Sequence, residues 1–154
     1  MRRIIVEAEK CSGCRACEIL CSYVHTGSFR PSASRITVSK DDAIGMDYPI
    51  MCHQCDHCTA SLVCSVDALT KGPDGKINVN VDVCTGCGAC AKACKYDAVK
   101  MRDGLPLVCD LCNGSPICVT RCPTKALSFV EGAIEPEDAE EEHRKLMVRW
   151  GMIA

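Results

Sequence analysis

The sequence has few aromatic residues: two Phe, three Tyr and one Trp, or 4% of 154 residues. With the 16 cysteines set aside, the apolar share drops from 47% to roughly 36%. A chain this short and this poor in aliphatic and aromatic material needs something besides apolar burial to hold it together. No run of about 18 apolar residues occurs, so a membrane-spanning helix is not expected. Met1-Arg2-Arg3 is followed only by the short apolar stretch Ile4-Ile5-Val6. Neither a signal peptide nor a twin-arginine signal is expected from it, and the cytoplasm is the expected compartment. The formal charge of −2 gives no basic footprint for nucleic acid. No Gly-x-Gly-x-x-Gly follows a strand and no P-loop is present, which argues against a nucleotide-binding domain. No nucleophile–base pair or pair of poised carboxylates is recognisable, so hydrolytic catalysis is not expected.

Cysteine is what the chain has in excess. Without an export signal, a framework of eight disulfides does not suit a reducing compartment, which leaves metal. The cysteines form four groups of four: Cys11, Cys14, Cys17 and Cys21; Cys52, Cys55, Cys58 and Cys64; Cys84, Cys87, Cys90 and Cys94; Cys109, Cys112, Cys118 and Cys122. Groups one and three repeat the spacing x2, x2, x3. That is the bacterial ferredoxin run, in which three Cys hold one [4Fe–4S] cluster and the fourth reaches another. A zinc-dependent structural module is the rival from another class. Zinc sites usually join two separate C-x2-C knuckles, whereas here three cysteines fall within seven residues, twice over with the same x3 follower. Haem attachment fails because Asp56 and Thr59, not His, follow the candidate C-x-x-C pairs. A radical C-x3-C-x2-C site fails at Val24, Asp97 and Lys125.

The segments after three of the groups are alike. Ser65-Val66-Asp67-Ala68-Leu69, Lys95-Tyr96-Asp97-Ala98-Val99 and Pro123-Thr124-Lys125-Ala126-Leu127 each follow a cysteine, place Ala fourth and then an aliphatic residue. This is a duplication signature: a Cys-rich loop and a short helical turn leading into a short strand. Alternation over 76–83 predicts a strand with Ile77, Val79, Val81 and Val83 on one face. Gly72-Pro73-Asp74-Gly75 predicts a hairpin turn, as does Asp103-Gly104. Ile36-Thr37-Val38 is a strand candidate. The expected fold is α+β: duplicated bacterial-ferredoxin-like, two-cluster modules with short hairpins and short helices, and a C-terminal helical tail. The four-cluster domain spans 1–134, with an inner module at about 50–102 and an outer module of 1–49 plus 103–134; the tail is 135–154.

Over residues 4–130 the chain resembles the four-cluster [4Fe–4S] electron-transfer subunits of molybdenum and tungsten oxidoreductases. It is also similar to the iron–sulfur subunits of carbon monoxide dehydrogenase and formate dehydrogenase. The residues that carry the resemblance are the four Cys groups, Cys21-Ser22-Tyr23-Val24-His25-Thr26-Gly27, Pro31-Ser32-Ala33-Ser34-Arg35-Ile36, Cys52-His53-Gln54-Cys55 and Cys109-Asp110-Leu111-Cys112-Asn113-Gly114. In size it is most similar to the small subunits of tungsten aldehyde oxidoreductases. The resemblance implies four [4Fe–4S] clusters. Cys11, Cys14, Cys17 and Cys122 would hold the first. Cys21, Cys109, Cys112 and Cys118 would hold the second. Cys52, Cys55, Cys58 and Cys94 would hold the third, and Cys64, Cys84, Cys87 and Cys90 the fourth. For groups two and three the rule that the fourth Cys crosses over gives the same assignment. The resemblance also implies a non-catalytic relay of single electrons. Its partner would be a catalytic tungsten or molybdenum subunit, with a flavin or NAD subunit, a ferredoxin or a second copy on the other side.

The chain departs from the ferredoxin pattern in one respect. Pro follows only Cys122; Ser22, Ser65 and Lys95 follow Cys21, Cys64 and Cys94. Absence of Pro is expected to add N–H donors near sulfur. With 16 thiolates and four oxidised clusters the net charge becomes about −10, so low potentials are expected. His25 reads as a hydrogen-bonding loop residue, and His53 and His57 as surface residues or neighbours of the ligands. Glu18, Asp56, Lys92 and Asp110 read as solvated charges. In the tail, Pro136, early acids and late bases predict a helix, with Leu146, Met147, Trp150 and Ile153 as an apolar stripe for self-packing or docking.

Overall fold

A computed structural model describes residues 2–132, 141, 144, 145, 147, 148 and 151–153. The architecture is a small α+β ferredoxin-like fold of short hairpins and short helices, built around 16 cysteines. Strand β1 (Arg2–Val6) pairs antiparallel with β8 (Leu127–Glu131), Ile4 opposite Phe129 and Val6 opposite Leu127, so the two ends of the cysteine-bearing region are zipped together. Three hairpins lie between them: β2 (Thr37–Asp41) with β3 (Met46–Ile50), β4 (Leu69–Lys71) with β5 (Ile77–Val79), and β6 (Lys100–Arg102) with β7 (Leu105–Leu107). The turn Asp103-Gly104 has positive φ at both residues (50° and 76°), the geometry a two-residue hairpin of this hand requires. The expected module boundary between 102 and 103 falls inside this turn, so β7 pairs with the last strand of the inner module.

Four helices carry cysteines or adjoin them: α1 (Ala16–Thr26), α2 (Thr59–Leu62), α3 (Ala89–Ala93) and α4 (Ile117–Thr120). Helix α1 packs on α4, and α2 on α3. Gly27, in the left-handed region at φ 68°, ends α1 and returns its N–H to the Tyr23 carbonyl at 2.7 Å. Cys17 and Cys21 are one turn apart on α1 and therefore share a face.

The core is as thin as the composition implies. Ile4, Ile36, Met51, Leu69, Ile77, Val99, Val108, Leu111 and Leu127 are buried in one cluster that also contains Cys21, Cys52, Cys90, Cys109 and Cys118. The cysteines are thus part of the core.

Two sequence expectations need correction. The strand expected over 76–83 stops at Val79, and Val81 and Val83 are exposed. Asn80 makes the last pairing bond, to the Ala68 carbonyl, and its side chain then caps the N–H of Asp82, which turns the chain toward Cys84. Glu18 is not solvated, and Asp110 is half-buried, its side chain 32% exposed. Glu18 is 1% exposed and accepts from the Val38 N–H at 2.7 Å and from Arg15 Nε at 2.6 Å. A buried carboxylate of this kind needs such partners. In the tail, Glu141 pairs with Arg144, Met147 is partly buried and Ile153 is exposed. Leu146 and Trp150 of the expected stripe lie outside the described residues.

Candidate metal centres

Each cysteine group begins with C-x-x-C, and in all four the residue before the second Cys is left-handed: Gly13 (φ 62°), Gln54 (φ 58°), Gly86 (φ 69°) and Leu111 (φ 57°). This conformation tightens the loop so that successive thiols turn toward one centre. At Gly13 an added Cβ would strike the Asp47 carboxylate, and at Gly86 it would lie 2.6 Å from the Gly104 carbonyl oxygen. Both positions therefore favour glycine by backbone conformation, and Gly86, which faces main chain rather than a movable side chain, needs it for space as well. A second repeated device follows the fourth cysteines. Asp67 (φ 49°), Asp97 (φ 50°) and Lys125 (φ 55°) are each left-handed, and each donates its N–H to the carbonyl of the cysteine three residues earlier. Ala68, Ala98 and Ala126 are then buried, and the strands begin.

These loops line three small cavities. One is lined by Cys11, Cys14, Cys17 and Cys122. A second is lined by Cys52, Cys55, Cys58 and Cys94. A third is lined by Cys64, Cys84, Cys87 and Cys90. In each, three cysteines come from one loop and the fourth from a segment remote in sequence. Cys21, Cys109, Cys112 and Cys118 also converge: Cys109 is influenced electrostatically by Cys21 and Cys112, and Cys118 by Cys109, Cys112 and Cys21. The groups adjoin one another, since Cys118 also senses Cys17, and Cys52 senses Cys109.

The thiols divide into two electrostatic kinds. Burial pushes Cys17 and Cys109 up to about 12, and pushes Cys11, Cys52, Cys90 and Cys118 upward as well. Such a group is costly to ionise without a bound cation. Three of the crossing cysteines move the other way. Cys64 is lowered by the N–H groups of Leu69, Val66 and Ala68, with Ala68 N 3.2 Å from its sulfur. At Cys21 and Cys122 burial opposes ionisation, but hydrogen bonds win. His25, the Arg35 N–H and Ser34 lower Cys21; the Thr124 hydroxyl and the N–H groups of Leu127, Ala126 and Thr124 lower Cys122. Pro123 does not prevent this, because the donors sit further along the turn.

His25 fixes its surroundings. Its Nδ1–H donates to the Cys21 carbonyl at 2.8 Å, and Nε2 lies 3.1 Å from Asp110 Oδ1. Asp110, foremost among its partners, raises the imidazole to about 10. Asp110 also pairs with Arg35 and accepts the Cys112 N–H at 3.0 Å. His53 is buried, edge-on to Tyr96 with ring centroids 4.9 Å apart, while His57 is exposed. Gln54, fully buried, donates to the Cys109 carbonyl and accepts the Ile77 N–H, both at 2.6 Å. It ties the second loop to the fourth and to β5; only its position inside C-x-x-C marked it in the sequence.

The donor set fits thiolate-ligated iron–sulfur clusters. Every lined cavity offers four soft sulfurs, with Ala, Gly, Thr and aliphatic groups filling most of the remaining wall. Among the described residues no helix is long and apolar enough to cross a membrane. A family model for the 4Fe-4S binding domain matches residues 77–100. The chain is 38% identical over 139 residues to the polyferredoxin-like subunit of an aliphatic sulfonate oxidoreductase from Pyrococcus furiosus, covering 86% of this chain and 80% of that one. It is 36% identical over 144 residues to the putative electron transport protein YsaA of Escherichia coli, covering 84% and 90%. Among solved structures, it is similar to a chain of the active site complex BamBC of benzoyl coenzyme A reductase, with 31% identity, a TM-score of 0.54 and coverage of 97% and 91%.

Proposed function

The chain belongs to the family of polyferredoxin-like 4Fe-4S electron-transfer subunits of oxidoreductases, and from that premise we propose that it carries four [4Fe–4S] clusters, one per cysteine quartet. The relatives are electron-transport and polyferredoxin-like subunits, and the chain is a non-catalytic member of their kind. The quartets are Cys11, Cys14, Cys17 and Cys122; Cys21, Cys109, Cys112 and Cys118; Cys52, Cys55, Cys58 and Cys94; and Cys64, Cys84, Cys87 and Cys90. The observation that carries this reading is that three separate cavities are each lined by four thiols, three local and one remote.

A bound [4Fe–4S] cluster supplies reversible one-electron chemistry. The chain's residues hold, insulate and order the sites. The left-handed residues aim the thiols, and the buried aliphatic cluster excludes water around Cys52, Cys90, Cys109 and Cys118. The electrostatic influence of Cys17 on Cys118, and of Cys109 on Cys52, supports a sequence of sites running from the Cys11 quartet through the Cys21 and Cys52 quartets to the Cys64 quartet. Helix α3, carrying Cys90 and following immediately into Cys94, joins the last two. Such a row suits relay between separated redox partners. One partner is a catalytic oxidoreductase subunit, which we assign to the tungsten or molybdenum class of the aldehyde-oxidoreductase type in the cytoplasm. The other is a flavin or NAD subunit, a ferredoxin or a second copy. Anaerobic affinity isolation with metal analysis tests the partner: a co-purifying chain with tungsten or molybdenum supports this class, and a catalytic partner without either metal removes it.

A further inference from the structure

The two sites of the segment between Cys52 and Cys94 are alike in spacing and unlike in charge. The wall of the Cys64, Cys84, Cys87 and Cys90 cavity contains no ionisable side chain besides its cysteines. The charged side chain that acts on Cys64 is a carboxylate, Asp67, three residues along the chain. The Cys52, Cys55, Cys58 and Cys94 cavity has Lys95 in its wall, with Nζ 4.7 Å from the Tyr96 ring centroid. Two further cations converge on its loop from different strands. Arg3, on β1, has a side chain 0% exposed and places Nη2 3.7 Å from Asp56 Oδ2, between Cys55 and Cys58. Lys71, on β4, donates its ammonium to the Cys55 carbonyl at 2.9 Å and to Asp56 Oδ1 at 3.2 Å. Asp56 is the one carboxylate in this group, and it is 41% exposed.

Resting on the four-cluster reading, we propose that Arg3, seconded by Lys71, sets the Cys52 site at a higher reduction potential than the Cys64 site. A guanidinium does not give up its proton, so its charge persists in every redox state. A charge out of water acts over a longer reach than an exposed one. An added electron is therefore stabilised at the Cys52 site more than at its twin. An electron shared between the two rests on the side facing β1 and the Cys109 loop. One site is oxidised as the other is reduced, and no proton or group moves. Arg3 is a positioning residue: it donates no ligand, and it acts through the charge it holds beside Asp56.

The test is a potentiometric titration of the anaerobically purified full chain, followed by electron paramagnetic resonance, with iron content measured on every sample. The wave altered in Cys94→Ser marks the Cys52 site, and the wave altered in Cys64→Ser marks its twin. The Cys52 wave is expected above the Cys64 wave. Arg3→Gln should shift the Cys52 wave downward at unchanged iron content, and Arg3→Lys should restore it. Asp56→Asn should move the same wave upward and Lys71→Gln downward, an opposition of sign that a merely structural role does not produce. An unshifted Cys52 wave in iron-replete Arg3→Gln, or a Cys64 wave lying above it in the unmodified chain, overturns the proposal. If Arg3→Gln fails to load iron, Asp56→Asn and Lys71→Gln decide: opposite shifts sustain it, and no shift in either overturns it. A chain without iron or sulfide would instead overturn the four-cluster reading itself.

Discussion

Gly86 and Lys125 occupy the same region of backbone space for opposite reasons, and substitutions separate them. Gly86 lies where a Cβ would press on the Gly104 carbonyl oxygen at 2.6 Å. Gly86→Ala adds a left-handed strain of about 1–2 kcal/mol to that collision. It is expected to destabilise the loop of Cys84, Cys87 and Cys90 by more than that figure and to lower iron content. Lys125 is exposed and left-handed at φ 55°. Lys125→Gly relieves strain at an entropic cost, so stability should stay level or rise by up to about 1 kcal/mol. Thermal loss of the visible chromophore under anaerobic conditions reads both. Gln54 is the sharper residue, because two buried backbone groups depend on it. Gln54→Leu leaves the Ile77 N–H and the Cys109 carbonyl without that partner, at about 1–3 kcal/mol each. Unfolding by denaturant should show a loss of roughly 2–5 kcal/mol; a loss below 1 kcal/mol would mean water replaces the amide.

At the scale of elements, the repeated Cys, three residues, Ala pattern was legible because each copy must make the same turn before its strand. The β4–β5 and β6–β7 hairpins were legible because Gly72-Pro73-Asp74-Gly75 and Asp103-Gly104 permit little else. Strand β3 was hidden by Pro49, which normally demotes a strand; here it sits opposite Val38 in a two-stranded ribbon, where a missing N–H is tolerated. β1 was passed over as a short apolar stretch, since its partner β8 lies more than 120 residues away. Burial of Glu18 and the pairing of Asp110 were invisible for the same reason, because their partners Val38, His25 and Arg35 are brought in by the fold. The crossing cysteines give a test at this scale. Cys122→Ser, two residues beyond α4, should damage the site of Cys11, Cys14 and Cys17, removing about a quarter of the iron. The signal of the Cys109, Cys112 and Cys118 site should persist. Loss of that signal alone would contradict the pairing.

On the scale of the whole molecule, the chain trades a conventional apolar core for buried sulfur. Five cysteines are buried among the aliphatic, Met and Tyr side chains of one cluster, and the packing between α1 and α4 and between α2 and α3 runs through cysteine-bearing segments. On the four-cluster proposal, binding at the quartets cross-links loops that hydrophobic contact alone holds weakly. Stripping iron with a chelator is expected to unfold the protein rather than leave a folded shell, which circular dichroism would register as loss of secondary structure together with colour. Retention of the native spectrum after complete removal of iron would show that the aliphatic cluster suffices. If all four quartets are filled alike, iron and acid-labile sulfide counted per chain after anaerobic purification come to about 16 of each, with no stoichiometric zinc. About four zinc ions and no sulfide per chain would contradict the four-cluster proposal.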